Sequence, residues 1–163
     1  MSLVISDTSP IRALEWLGLL NLLETLHGKV FIPPAVADEL THTTLQLRRL
    51  EVSQYSFIQV TTPVSQIMID RLRLELDRGE SEAIALALEM APCKILIDEA
   101  AGRRKSANLG LEVIGTIGIL IQAKQHGLIP AIAPLLSRLR TELKFFLSEN
   151  FVRQILDDVG EIE

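Results

Sequence analysis

The chain has 163 residues, of which 48% are hydrophobic and 23% charged, and its net charge is -5 at pH 7. This composition is typical of a folded globular protein, and the acidic balance argues against nucleic-acid binding through bulk positive charge. The 4% of aromatic residues argue against a stacking platform for single strands, and the single cysteine, Cys93, excludes an intramolecular disulfide.

Short apolar runs alternate with longer helical patterns along the chain. In chain order, strands are predicted at 3–6, 29–32, 57–60, 94–97 and 112–114. Helices are predicted at 9–28, 33–42, 65–76, 79–90, 99–110, 115–127, 130–143 and 148–159. Because strands followed by helices form βαβ units, the pattern predicts an α/β fold with a parallel sheet covered on both faces, in a single domain over 1–163.

The cellular location of the protein is predicted from two kinds of segment, a signal peptide and a membrane-spanning helix. The N-terminus shows no basic segment followed by a long apolar run, so no signal peptide is expected. The run "VIGTIGILIQA" is too short to span a bilayer and predicts a buried helix. Together with the cysteine usage, these features predict a cytoplasmic protein without a membrane segment.

Two aspartates follow predicted strands directly. Asp7 ends "LVIS" and Asp98 ends "KILI". Because ligands of open α/β sheets gather beyond the carboxyl ends of the strands, both are candidates for a site there. The alternative is that Asp7 or Ser9 only caps the helix that follows. Arg12 interrupts the apolar stripe of that helix, and nothing in the sequence explains it.

Two glutamates lie on inward faces of predicted helices. Glu39 shares a face with Val36 and Leu40, where a carboxylate is costly unless it is paired or bound to a metal. Glu80 lies one turn before Ile84 at the start of its helix, where the helix dipole favours an anion. Glu82 is expected to face solvent. Alternatively, Glu39 lies at the rim of its apolar face and reaches water. The alternative for Glu80 and Glu82 is a simpler role, in which both only stabilise the dipole at the start of their helix.

Four carboxylates that converge on one pocket repel each other unless a cation lies between them. Ligand sets made only of oxygen suit Mg²⁺ or Mn²⁺. Such an ion activates water and stabilises the charge of a phosphoryl transition state, so the pattern indicates phosphodiester hydrolysis.

Five segments in order resemble the PIN-domain family of metal-dependent nucleases, in a branch close to the toxins of type II toxin–antitoxin pairs. They are "VISDTSP", "FIPPAVADEL", "GESEAIALALE", "ILIDEAAGRR" and "VIGTIGILIQAKQHGLIP". The resemblance implies a three-layer α/β/α sandwich around a parallel sheet of about five strands. It makes Asp7, Glu39, Glu80 and Asp98 the catalytic and metal-binding acids, with Glu80 where many relatives have aspartate. It places Ser9 and Thr116 near the site. Glu82 is a further residue expected near the site, although the spacing in the family selects Glu80 over it.

The resemblance also implies a function and partners. It implies an endoribonuclease that uses Mg²⁺ or Mn²⁺, forms a homodimer and, as a toxin, is blocked by an antitoxin protein. The alternative is a PIN-like interaction module without catalysis. A haloacid dehalogenase-type phosphatase is disfavoured because it needs a second acid where Ser9 stands, and a receiver domain because it needs an acid pair after the first strand.

Two further segments are candidates for contacts. Arg103, Arg104 and Lys105 are the densest basic cluster and are expected to meet substrate phosphates, the alternative being a solvated helix face. The last predicted helix carries an apolar stripe, which is expected to pack on the domain itself rather than on a second copy or an antitoxin. The stripe consists of Phe151, Val152, Ile155, Leu156 and Val159.

Overall fold

Five parallel strands form one sheet at the centre of the structure, a computed structural model that describes residues 3–42 and 48–162. The other residues of the predicted domain lie outside the described ones. The strands are β1 (Val4–Ser6), β2 (Val30–Ile32), β3 (Ile58–Val60), β4 (Lys94–Leu96) and β5 (Glu112–Ile114). Their order is β3-β2-β1-β4-β5, and every neighbouring pair is parallel.

Helices cover both faces of this sheet. They are α1 (Thr8–Trp16), α2 (Asn21–His27), α3 (Pro34–Leu40), α4 (Gln66–Leu72), α5 (Arg78–Met90), α6 (Ala100–Asn108), α7 (Thr116–Gln125), α8 (Ala133–Glu142) and α9 (Glu149–Asp158), with a 3-10 turn at Val52–Gln54. Successive strand residues point to opposite faces, so Val4 joins one apolar core with α1, α2, α7 and α8, and Ile5 joins another with α4 and α5. The predicted three-layer α/β/α fold is confirmed. Within the described residues, no helix is long and apolar enough to cross a membrane.

Three predicted helices differ from the structure by more than two residues at one end or in their number. The helix predicted over 9–28 is wrong, because Gly18 adopts a φ of +73° and the chain forms α1 and α2 instead. Helix α4 ends at Leu72, four residues early, and a turn leads to Asp77, which takes the extended backbone of the N-cap of α5. Helix α8 begins at Ala133, with Pro134 in its first turn, rather than at residue 130.

The strand order determines where the acids lie. β1 pairs with β2 on one side and with β4 on the other, so the chain changes direction across the sheet at β1. Ser6 is in register with Leu96, and the Asp7 N–H donates to the Leu96 carbonyl at 2.9 Å. The segments that follow β1 and β4 are therefore neighbours at this switch point, which is where open α/β sheets bind ligands.

The C-terminal helix packs on the rest of the chain through most of its apolar stripe. Ile155 is buried, and Val152, Leu156 and Val159 are partly buried against the same core, whereas Phe151 is half exposed. Beyond the helix, the Glu161 carboxylate accepts from Lys124 Nζ at 2.7 Å and from the N–H groups of Ile132 and Ala133 at 2.7 and 2.9 Å. The tail thus satisfies the first N–H groups of α8, as a capping residue would.

We expect Glu161→Ala to lower the free energy of unfolding by about 1–2 kcal/mol, because it leaves two N–H groups and a cation without their acceptor. The matched control is Asp157→Ala, which removes an exposed acid from α9. Urea unfolding of both variants measures the difference. Equal stabilities of the two variants would show that the tail does not anchor α8.

Candidate active site at the carboxyl ends of the strands

Asp7 is buried at the end of β1 with no neutralising cation described beside it. It occupies the N-cap position of α1, yet its side chain makes no capping hydrogen bond, so helix capping does not explain it. The residue is 5% exposed, and burial raises the pKa of its carboxyl to about 7. The nearby backbone N–H of Thr8 opposes this rise in the pKa of Asp7, and the charges of Asp77, Glu39 and Asp98 add to it.

Glu39 reaches the same region from α3. Its Oε2 accepts a hydrogen bond of 2.8 Å from Thr8 Oγ1. A methyl group on Gly79, at the start of α5, would lie 2.5 Å from Glu39 Oε1 and 3.4 Å from Asp7 Oδ1. The two carboxylates therefore converge on the first turn of α5, where a side chain at Gly79 would displace Glu39 and touch Asp7. The hydroxyl that contacts Glu39 is that of Thr8. Thr8 was not predicted at the site, although the neighbouring Ser9 was.

Arg12 holds the end of α3 in place. Its Nη2 donates to the carbonyl oxygens of Glu39 and His42 at 2.7 and 2.8 Å, and its Nη1 donates to that of Arg48 at 3.2 Å. The Glu39 carbonyl belongs to the last turn of α3, the His42 carbonyl lies just beyond that helix, and the Arg48 carbonyl lies in a later segment. This role explains a guanidinium within the apolar stripe of α1 and makes Arg12 a residue that positions Glu39.

Glu80 points inward from the first turn of α5. It is 6% exposed, and its N–H donates to Asp77 Oδ1 at 2.8 Å. Its Oε2 has no hydrogen-bond partner among residues 3–42 and 48–162. Burial raises the pKa of its carboxyl to about 8, with a hydrogen bond to Asp77 and the charges of Asp77 and Asp7 adding to the rise. A methyl group on Gly102 of α6 would lie 2.7 Å from this Oε2, so glycine makes room for it.

Asp98 is oriented by the start of α7. Its Oδ1 accepts from the Thr116 N–H at 2.8 Å and its Oδ2 from Thr116 Oγ1 at 2.6 Å. Burial raises the pKa of Asp98, opposed by these hydrogen bonds and by the charge of Arg103. Arg103 Nη1 donates to the Ile97 carbonyl at 2.9 Å, and a methyl group on Gly115 would lie within 3 Å of both Arg103 and Asp98. The structure thus brings Asp98, Thr116 and Arg103 together.

The three basic residues of α6 do not share one surface. Arg103 lies beside Asp98, whereas Arg104 and Lys105 line a separate depression with Leu76. Lys105 Nζ is 3.0 Å from Glu75 Oε2. Only Arg103 of the predicted cluster lies at the acids.

The prediction of a solvated Glu82 is wrong. Its side chain is 12% exposed, with Oε1 accepting from the Ala35 N–H at 3.1 Å and Oε2 from Arg78 Nε at 3.0 Å. Glu82 therefore caps the start of α3. The apolar face of α5 alone does not predict this contact, because it depends on how α3 packs beside α5. Asp77 is a further acid near Glu80 and was not predicted there. An aspartate followed three residues later by a glutamate is the sequence signature of a helix N-cap.

The donor set fits a hard divalent cation. Asp7, Glu39, Glu80 and Asp98 offer only oxygen, and Glu80 Oε2 has no hydrogen-bond partner among the described residues. Burial, and after it the charges of neighbouring carboxylates, raises the pKa values of Asp7 and Glu80, and a bound cation would oppose both effects. In the described parts of the chain, no three acid, histidine or cysteine side chains lie close enough to hold an ion as they stand. The acids therefore border the site without closing around one point.

Comparison with known proteins bears on the fold and the family. Residues 3–161 match the family model described as DUF3368, a PIN domain. No curated protein and no solved structure matches the chain significantly. PIN domains have a nuclease-type fold and typically use divalent metals, in keeping with the acids at the end of this sheet. Because the match spans nearly the whole chain, the protein belongs to the PIN-domain family.

Proposed function

We propose that this protein is a metal-dependent endoribonuclease that hydrolyses phosphodiester bonds in RNA. The observation that carries the proposal is the gathering of acids from four elements at the switch point of the sheet: Asp7 after β1, Glu39 on α3, Glu80 on α5 and Asp98 after β4. Asp7 and Glu80 are buried, and Glu39 and Asp98 are half-buried. Buried carboxylates without cations destabilise a fold, and such strongly shifted groups cluster at functional sites. This favours catalysis over a silent interaction module.

The residues of the site have separate roles in this proposal. Asp7, Glu39, Glu80 and Asp98 would hold Mg²⁺ or Mn²⁺, which supplies Lewis acidity and an activated water when bound. Thr116 fixes both oxygens of Asp98, and Thr8 fixes one oxygen of Glu39. Arg103 places a positive charge next to Asp98, where it attracts the phosphate of the substrate.

Two partners belong to the same proposal because they come with the toxin branch that the sequence resembles. One is a second copy of the chain in a homodimer. The other is an antitoxin protein that occupies the acids and blocks cleavage.

RNA cleavage by the purified protein is expected to disappear when the metal is removed with a chelator and to return with Mg²⁺ or Mn²⁺. The reason is that the four carboxylates present no positive charge to the scissile phosphate. Cleavage of an end-labelled RNA, followed on a denaturing gel, measures this. Asp7→Asn, purified in the same way, is the control for contaminating nucleases. Cleavage that persists after complete metal removal would contradict the metal-dependent mechanism.

A further inference from the structure

A groove of about 540 Å³ opens beside Asp98, between α7 and α9. Asp98 and Arg103 line one part of it, and Phe145, Phe146 and Phe151 line another. Three of the five phenylalanines in the chain therefore meet at one groove next to the candidate active site. The low aromatic content argued against a stacking platform, but the fold concentrates the few aromatic rings in one place.

Two of these rings are presented to solvent by an anchored segment. Phe146 is 95% exposed and Phe151 is 49% exposed, whereas Phe145 packs against the core. On one side of Phe146, the Phe145 N–H donates to the Leu139 carbonyl at 3.0 Å. On the other side, Arg140 Nη2 donates to the Leu147 carbonyl at 2.6 Å. The exposed ring of Phe146 is thus held outward by the backbone on both sides of it.

The neighbouring residue shows how the chain turns there. Lys144 has a φ of +57°, which residues other than glycine rarely adopt. This turn follows α8 and precedes the segment that places Phe145 inside and Phe146 outside. A left-handed residue just past a helix C-cap is a common helix stop, so the turn itself needs no ligand. The aromatic ring that it leaves almost wholly in solvent, at a groove beside the acids, is what favours a ligand.

We propose that this groove binds unpaired bases of the RNA substrate, with Phe146 and Phe151 stacking on bases next to the scissile phosphate. The proposal rests on the proposed function for the identity of its ligand. A single strand combines anionic phosphates with flat apolar bases, and the groove combines the Arg103 guanidinium with exposed aromatic rings. Because Asp98 lines the same groove, a strand held at the acids continues onto the rings. Duplex RNA, with its bases already stacked, is excluded from this contact.

An apolar peptide is the competing ligand, and leucine variants separate the two. Phe146→Leu and Phe151→Leu keep apolar bulk but remove the aromatic face, and Phe146→Trp enlarges that face. Leu74→Ala is the control, because Leu74 is an exposed apolar residue outside the groove. All variants are made in the Asp7→Asn background, and their binding to a fluorescein-labelled ten-nucleotide adenylate RNA is followed by anisotropy. The probe is compared with its duplex and with an abasic backbone of equal length.

We expect each leucine variant to weaken binding of the single strand about five- to a hundredfold, the range that one stacked base contributes. Phe146→Trp and Leu74→Ala should bind as the parent does, and the duplex and the abasic backbone should bind weakly to all. Unchanged affinity in both leucine variants would overturn the proposal and leave the groove to an apolar peptide. Equal affinity for the single strand and the abasic backbone would also overturn it.

Cleavage by the protein with an intact Asp7 separates this proposal from the proposed function. If that protein cleaves RNA and the leucine variants cleave it equally fast at low RNA concentration, the groove proposal alone fails. If that protein cleaves no RNA with Mn²⁺ while the leucine variants lose single-strand binding, the nuclease function fails and the groove still binds bases.

Discussion

Asp7→Asn and Asp98→Asn are each expected to reduce RNA cleavage by on the order of a hundred- to a thousandfold or more, while the fold remains intact. Both residues follow central strands and offer their oxygens to the proposed cation. Asparagine has nearly the same shape as aspartate but carries no charge. We therefore expect the variants to lose cleavage activity and to keep the packing of the fold. The structural alternative, in which the acids cap helices, predicts unfolding instead.

The stability of the same variants gives the result a second readout. Asp7 is a buried carboxylate whose pKa is raised to about 7, so its ionised form destabilises the metal-free fold. Asp7→Asn should therefore raise the free energy of unfolding at about pH 8 by on the order of 1–3 kcal/mol. Asp98→Asn should gain less, because Thr116 already donates two hydrogen bonds to that carboxylate. Cleavage rates and urea unfolding measure the two effects.

The controls lie on the same helices as the acids. Asp38→Asn removes an exposed charge next to Glu39 and should change neither readout. Glu80→Gln should reduce cleavage more than Glu82→Gln does, whereas Glu82→Gln should be the more destabilising because Glu82 caps α3. Loss of cleavage accompanied by unfolding in Asp7→Asn would contradict a catalytic role. The reverse order for the two glutamates would contradict the assignment of Glu80.

The metal-free protein is expected to lose stability as the pH rises from about 4 to about 8. The pKa of Asp7 rises from 3.8 to about 7 on folding, and that of Glu80 from 4.5 to about 8. Between these values the folded state binds more protons than the unfolded state. The stability is therefore full below the unfolded pKa values and is lost as the pH rises through the folded ones.

Urea unfolding in chelator at about pH 5 and about pH 8 measures this slope. Asp7→Asn should flatten it, and Mn²⁺ should restore stability at the higher pH by binding the ionised carboxylates. A metal-free protein whose stability stays constant or increases over this range would show that Asp7 and Glu80 are not buried as the structure has them.

Features that depend on one element were predictable from the sequence. Asp7 and Asp98 could be placed at the same edge because the carboxyl ends of parallel strands meet there. The inward direction of Glu39 and Glu80 followed from the apolar faces of their own helices. The five-strand parallel sheet followed from the alternation of strands and helices, and the structure confirms it.

Features that depend on two elements were not predictable. Glu82 is buried because α3 packs beside α5, and Arg12 binds carbonyls 27 to 36 residues away in the chain. The break between α1 and α2 at Gly18 was not predicted for a different reason. It depends on a positive φ, which a repeat of apolar residues does not encode. The groove formed by three phenylalanines was missed because composition counts aromatic rings without placing them.

Binding of Mn²⁺, measured by electron paramagnetic resonance at about pH 8, tests the central claim most directly, because at that pH Asp7 is largely ionised and the metal displaces the remaining proton from Glu80. The intact protein is expected to bind Mn²⁺, and Asp7→Asn, Glu80→Gln and Asp98→Asn should each weaken binding by at least about tenfold. Asp38→Asn should bind as the intact protein does. Absence of Mn²⁺ binding, or unchanged binding in all three site variants, would contradict a metal centre built from these acids.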